Sequence, residues 1–546
     1  MAQMSAAQAL VKSLAREGVE TVFGLPGVQI MDIYDAFYEE PSIRLITTRH
    51  EQTAAYMADG YARTTGKIGV ALVVPGPGLL NASAAIGTAY ASSSPVLLIS
   101  GQVESYNINK GRGAVHEVVN QLDVLTNITK WRSNITEPKD VPSAVHEAMR
   151  QLKTGRPRPV ALEIPSDVLP MKDDIELLEP EVFAKDSPDP SLVKETVELL
   201  SLAQRPVIWA GGGINSADAN IQLTQLAEAI NAPVIVTAEG KGAIPENHPQ
   251  YAGPFYYGHG PGQAIIPQAD VILAVGSRLH FFAPVSWSFK PSQSLIHIDA
   301  DPAELGRNWP ETVSICADAR LALQAITKEM SGRSFASKWH REEIAQHREE
   351  AYQTTKRQAP NQVEIIETLR MELDDDAIVI SGISSIGYWS HLAFPVLTPR
   401  SYLNSSYFAT LGYAFPTALG AKVANPRRQV VAFCGDGGFM YGLPDLATAV
   451  QEGINLVTIV FNDQALGASL MDQETRYRRR VIGTQLHTPD FAKLSQSFGA
   501  EGIKLDNAKE LRNALRAALK LQRPVVIEVP IESWTPPFQL SPPGAF

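Results

Sequence analysis

The chain has 546 residues, 45% hydrophobic and 19% charged, with a formal net charge of -11. That length exceeds one core and implies three or four domains of roughly 150 residues, while dispersed charges with an acidic balance exclude the basic footprint of a nucleic-acid binder. Cys316 and Cys434 are the only cysteines, which excludes a disulfide framework or multi-cysteine zinc site and fits a reducing, cytoplasmic setting, and no apolar run approaches the roughly 20 residues of a membrane span.

The chain opens MAQMSAAQALVKSLAREGVETVFG, where Leu10, Leu14 and Val19 alternate with Lys12, Arg16 and Glu17. This is the pattern of an amphipathic helix and not of a signal peptide. Short β-branched strands are predicted at 21–23, 45–47, 69–74, 96–100 and 160–164, with helical periodicity between them, giving a first domain over 1–170. The polar, proline-dotted MKDDIELLEPEVFAKDSPDPS that follows is expected to be a linker. A second domain, 190–335, holds PVIWAGGG, PVIVTAEG, DVILAVGSR and SLIHIDAD, four strands each ending in Gly, Asp or Ser. The charged segment 338–358 is expected to be a helix leading to a third domain, 360–532, with AIVISG, VVAFCGDGG, LVTIVFND and PVVIEVP. The Pro-rich tail SWTPPFQLSPPGAF is expected to lie extended on the surface or over a site. Strand, Gly/Pro turn and helix recur throughout, so the fold class is α/β with three doubly wound parallel sheets.

Within the third domain, Asp436 lies in Gly435-Asp436-Gly437-Gly438, and 24 residues separate Gly437 from Asn462. The glycines permit close backbone approach to a ligand. Asp436 and Asn462 fall at the ends of neighbouring strands, where they could hold a hard cation; Mg²⁺ takes one or two carboxylates plus phosphate oxygens. A plain turn with Asp436 as helix cap is the alternative.

This spacing resembles the cofactor fingerprint of thiamine diphosphate (ThDP) dependent enzymes. The resemblance implies that Asp436, Asn462 and the backbone carbonyl of Gln464 coordinate Mg²⁺, with Gly437 and Gly438 beside the diphosphate. The usual pattern ends Asn-Asn, whereas this chain has Asn462-Asp463, the second position not being a ligand. A separate segment, Arg49-His50-Glu51-Gln52 followed by Met57-Ala58-Asp59-Gly60-Tyr61-Ala62-Arg63 and Gly66-Lys67, is similar to the family's activating stretch. It makes Glu51 the residue that hydrogen-bonds the cofactor's pyrimidine and promotes loss of the thiazolium proton. An isolated Glu at that position would otherwise be a helix-dipole partner. Phe23-Gly24-Leu25-Pro26-Gly27, Pro75-Gly76-Pro77-Gly78 and Gly155-Arg156-Pro157 resemble the acetohydroxyacid synthase and pyruvate oxidase branch. The implied domain order is pyrimidine-binding, central and diphosphate-binding. Thr410-Leu411-Gly412 is similar to the segment that props the cofactor into its bent shape, making Leu411 the prop. Ser384 and Ser385 are placed either to donate to the diphosphate or simply to turn the chain. Family members draw Glu and metal site from different subunits, so the resemblance implies a homodimer or homotetramer with the active site at the interface.

Residues expected over the thiazolium depart from the synthase pattern. Ala114-Val115-His116-Glu117 stands where synthases resemble Ala-Phe-Gln-Glu, so His116 is either a proton shuttle near neutral pH or an ordinary loop histidine. Asp472 falls where synthases place a Trp, and apolar Val74, Val115, Leu470 and Met471 could replace larger or polar groups. The run Arg476, Arg478, Arg479, Arg480 could bind a carboxylate or phosphate, or be a solvated face. Gly211-Gly212-Gly213 and Gly276-Ser277-Arg278 match places where relatives contact FAD or an adenine nucleotide, but Leu279-His280-Phe281-Phe282 replaces the acidic continuation; FAD is possible and a domain without flavin is favoured. The expectation is a ThDP and Mg²⁺ dependent enzyme acting on 2-oxo acids, an acetolactate synthase-like carboligase. The alternatives are a 2-oxo acid decarboxylase or 2-hydroxy ketone lyase on a bulkier substrate and, from another class, a non-catalytic nucleotide-binding protein.

Overall fold

The computed structural model describes residues 2–279 and 292–540; the exchange at 280–282 and the last six residues of the tail lie outside them. Three six-stranded sheets form in succession, every pairing within them parallel. Their central strands are runs such as Val70 to Val73, Ile272 to Val275 and Val431 to Phe433, buried on both sides, as a sheet covered by helices on each face requires.

The first and third sheets share one topology. Numbering strands by their order in each domain, both run 2-1-3-4-6-5 across the sheet. The central sheet runs 3-2-1-4-5-6, the doubly wound order of dinucleotide-type folds. In all three, strand order reverses beside strand 1, and the crevice at the strands' carboxyl ends is where such folds bind ligands.

The first and third domains meet through the helices Glu51–Thr65 and Ala414–Ala424. Their backbones approach at two glycines: a Cβ on Gly60 would stand 2.0 Å from the Thr417 carbonyl oxygen, and one on Gly420 would stand 1.9 Å from that of Met57. Arg63 then joins all three domains, donating to the Asn404 carbonyl at 2.7 Å, Tyr413 hydroxyl at 2.9 Å and Glu239 at 3.0 Å.

Several elements differ from the sequence reading. Lys172–Ile175, inside the expected linker, pairs antiparallel with Ala2–Ser5 ahead of the N-terminal helix Ala6–Arg16. The central sheet has six strands, not four, because edge strands Tyr251–Pro254 and Val313–Cys316 are added. Both are four residues long, and one carries Gly and Pro, so neither has the apolar run that marks a central strand. The charged segment does form a helix, Arg341–Gln358. Among the described residues no helix is long and apolar enough to cross a membrane.

Candidate functional site

Strand Val430–Gly435 pairs in register with Val457–Asn462, Gly435 opposite Phe461, so Asp436 and Asn462 emerge side by side at the carboxyl edge of the third sheet. Asp436 is 1% exposed, and its Oδ2 has no hydrogen-bond partner. Burial, together with the adjoining Asp463 carboxylate, pushes Asp436 up to about 7, and burial also raises Asp463. Two acidic side chains withdrawn from water in contact are costly unless a cation compensates them. Among the described residues no cluster of three His, Cys, Asp or Glu side chains could hold a metal. Asp436 with amide, carbonyl and phosphate oxygens is instead the donor set of a hard ion such as Mg²⁺.

Asn462 is held from behind. Its Nδ2 donates to Glu528 Oε1 at 3.0 Å, and Glu528 Oε2 accepts the Phe491 N–H at 2.9 Å. This fixes the amide, turning Oδ1 towards the Gln464 N–H and the Thr488 hydroxyl, each at 3.2 Å. Gln464 has φ +53, and its carbonyl accepts the Leu486 N–H at 2.7 Å, which leaves one lone pair for a cation. Glu528, 4% exposed, escaped the sequence reading; its signal is a lone carboxylate in the apolar strand PVVIEVP.

Around this turn the other expected residues gather. A Cβ on Gly435 would lie 3.3 Å from Ser384 Cβ, whereas the nearest atom to one on Gly438 is Gly412 N at 3.8 Å. Gly437 lies against Leu466 and Leu486. Ser384 caps the helix Ser385–Ala393 by accepting the Gly387 N–H at 3.1 Å, keeping its own proton to donate, and Ser385 Oγ is buried without a partner. Leu411 is half-buried between Thr410, whose hydroxyl meets Tyr56 at 3.3 Å, and Gly412 at φ +83. Ser533 in the tail donates to Asp463 at 2.8 Å, and Gln539 to the Ala468 carbonyl at 2.9 Å, so the tail lies against the turn. The orphaned Asp436 oxygen, the open Gly438 and the unpaired Ser385 hydroxyl fit a diphosphate with its cation.

Glu51 belongs to a different crevice. It heads the helix Glu51–Thr65, 8% exposed, and Oε2 accepts Asn81 Nδ2 at 3.0 Å beside Gly78. Among the described residues no hydrogen bond or ion pair joins Glu51 to Asp436, Asn462 or Gln464 within one chain. His116, at φ +70, shares the Glu51 domain; its backbone carbonyl would be 2.5 Å from a Cβ on Gly76, and its Nδ1 is buried without a partner. Val28, Leu80 and Val115 are exposed on this domain, as are Phe408, Met440 and Tyr441 on the third.

The remaining expectations are accounted for locally. Asp472 pairs with Arg476 one helical turn on, at 3.1 Å. Arg478, Arg479 and Arg480 are exposed. A separate cavity of about 860 Å³ lies between the domains, with Gly211 to Gly213 and Gly276 to Arg278 on its wall. Those glycines serve packing: a Cβ on Gly211 would be 2.1 Å from the Gly276 oxygen, and one on Gly213 would be 2.5 Å from Gly276 Cα. The cavity's Arg156 and Arg400 are paired with Glu304 at 2.6 Å and Asp218 at 2.9 Å.

Three family models match in sequence: the thiamine pyrophosphate enzyme N-terminal TPP binding domain at residues 4–124, the central domain at 193–326 and the C-terminal TPP binding domain at 382–529. The probable acetolactate synthase large subunit of Methanococcus aeolicus is 33% identical, over 99% of this chain and 94% of its own length. The acetolactate synthase large subunit of Haemophilus influenzae and the probable 2-ketoarginine decarboxylase AruI of Pseudomonas aeruginosa are each 34% identical, over 96% of this chain and 94% of their own. A buried carboxylate beside an oriented amide, set in a chain that matches all three segments in order, identifies it as a member of the thiamine pyrophosphate enzyme family and as a ThDP-dependent enzyme.

Proposed function

We propose that this enzyme makes or breaks a carbon–carbon bond next to the carbonyl of a 2-oxo acid, with acetolactate synthase-like carboligation as its reaction. The near-complete alignment with acetolactate synthase large subunits carries this reading. ThDP, when bound, supplies a carbon nucleophile and an electron sink. Asp436, Asn462 and the Gln464 carbonyl would hold Mg²⁺, Gly437, Gly438, Ser384 and Ser385 would receive the diphosphate, and Leu411 would support the cofactor. Glu51 would hold and release a proton at its carboxylate against the cofactor's pyrimidine, and burial beside Asn81 keeps water from competing for it. His116 is the proton donor to the substrate side, its free Nδ1 being the group available for that work.

The active site is shared between two subunits. The exposed Val28, Leu80, Val115, Met440 and Tyr441 on the two domains support this, as apolar surface that a partner subunit would cover. Sedimentation is expected at no less than twice the chain mass of 59.3 kDa; a monomer that turns over would contradict it. Free Cys316 and Cys434 support a reducing, cytoplasmic setting.

A second reading, 2-oxo acid decarboxylation, is favoured by the equally similar decarboxylase relative and by His116 in place of an amide. Product analysis with pyruvate, with and without ThDP and Mg²⁺, separates the two. Cofactor-dependent acetolactate supports carboligation; acetaldehyde alone, or turnover only of a larger 2-oxo acid, supports decarboxylation.

A further inference from the structure

The third domain orients its amide Asn462 with Glu528, the fourth residue of strand Val525–Pro530. The first domain repeats the device. Glu163 is the fourth residue of Val160–Pro165, in the same place in the sheet, and is 2% exposed. Gln102 stands opposite Pro165 as Asn462 stands opposite Pro530, on the strand beside Glu163. A second amide, Gln121, donates to Glu163 Oε2 at 2.6 Å and to the Gly101 carbonyl at 3.1 Å. Its Oε1 accepts the Gly76 N–H at 2.6 Å.

Gln121 is 1% exposed, so all of its polar contacts are made inside the protein. They end on Gly76, beneath the loop carrying His116, and on Gly101 and Glu163 in the sheet. Gly76, held by Gln121, is the residue on which the His116 backbone rests; its φ of +59 and the 2.5 Å clearance to the His116 carbonyl exclude any side chain there. On the outer side, Glu117 accepts N–H groups from Gly111, Gly113 and Ala114 at 2.8, 2.7 and 3.1 Å, closing the loop on itself. The loop is therefore a closed unit seated on Gly76 and anchored by one buried carboxamide.

We propose that Gln121 is a positioning residue: bridging Gly76 and Glu163, it fixes the seat of the His116 loop and so the placement of the imidazole towards substrate. This rests on the reading of His116 as a proton donor. The test is a double-mutant cycle of Gln121→Leu and His116→Ala on ThDP-loaded enzyme, following kcat, KM, the ThDP concentration for half-activation and the unfolding midpoint. Residues acting through one another give strongly non-additive effects. Gln121→Leu is expected to lower kcat by roughly tenfold or more, with half-activation by ThDP within about twofold of wild type, and the double variant should be no slower than His116→Ala alone. Should Gln121→Leu fold poorly, Gln121→Glu and its combination with Glu163→Gln replace it; the combination restores the bridge with donor and acceptor exchanged and is expected to recover kcat relative to Gln121→Glu. A slow His116→Ala enzyme that is slowed again in the double variant by the full Gln121→Leu factor overturns the inference alone, as does failure of the exchanged pair to recover. An unchanged turnover in His116→Ala removes the role of His116 and the inference with it.

Discussion

The first and third domains are built on one plan and do different work. Strand order is identical, each carries a buried Glu in the fourth position of its sixth strand, and each has an amide at the end of the strand beside it: Glu163 with Gln102, Glu528 with Asn462. They diverge at the turn after the third strand. In the third domain the chain leaves the sheet through Gly435-Asp436 and places a buried carboxylate beside the amide; in the first it leaves through Pro75-Gly76 and offers only backbone. On the proposed function, that one turn would decide which crevice attracts a cation and which is left to position neutral and acid/base groups. A shared scaffold fixes geometry, and the charge placed on it selects the chemistry.

The largest effect is expected from the crevice without the cation site. Glu51→Gln should reduce turnover by about 10²- to 10⁴-fold, the usual range for a positioned acid/base group, while ThDP still binds. A variant with wild-type turnover would deprive the first domain of its proposed task. Next comes the support of the cation turn. Glu528→Gln leaves Asn462 Nδ2 facing an amide that can equally donate, so the Mg²⁺ concentration for half-activation should rise by about 10- to 100-fold, as for outer partners of metal ligands generally. An unchanged Mg²⁺ requirement would mean that Asn462 needs no such orientation. Smallest is the effect on the contact between the two domains. Gly420→Ala gains helix propensity of up to about 1 kcal/mol but drives a methyl group to 1.9 Å from the Met57 carbonyl oxygen, where overpacking costs typically 1–3 kcal/mol. Denaturant unfolding should show net destabilisation, and a stabilised variant would show that the helices can part without loss.

Much of this plan is legible in the sequence, for definable reasons. Central strands such as Val430–Gly435 are dense β-branched or apolar runs, so they stand out, as do Asp436, Asn462 and Glu51, whose motifs are contiguous or regularly spaced. Edge strands such as Val313–Cys316 bury only alternate residues and have no such contrast with loops. Lys172–Ile175 becomes a strand only because Ala2–Ser5 lies beside it, a partner some 170 residues away that no local pattern announces. Gln121, Glu163 and Glu528 are missed for the same reason: a single polar residue in or near an apolar strand gains meaning only when its partner is known, here 42 residues distant for Gln121 and 66 for Asn462.

The most direct test of this division of labour is a ThDP titration followed by calorimetry on wild-type enzyme, Asp436→Asn and Glu51→Gln, each with Mg²⁺ and with EDTA. The expected result is Mg²⁺-dependent binding in wild type and Glu51→Gln, and its loss in Asp436→Asn. Binding of ThDP to Asp436→Asn as tight as to wild type, or equal binding to wild type in EDTA, would contradict a cation site at Asp436 and Asn462.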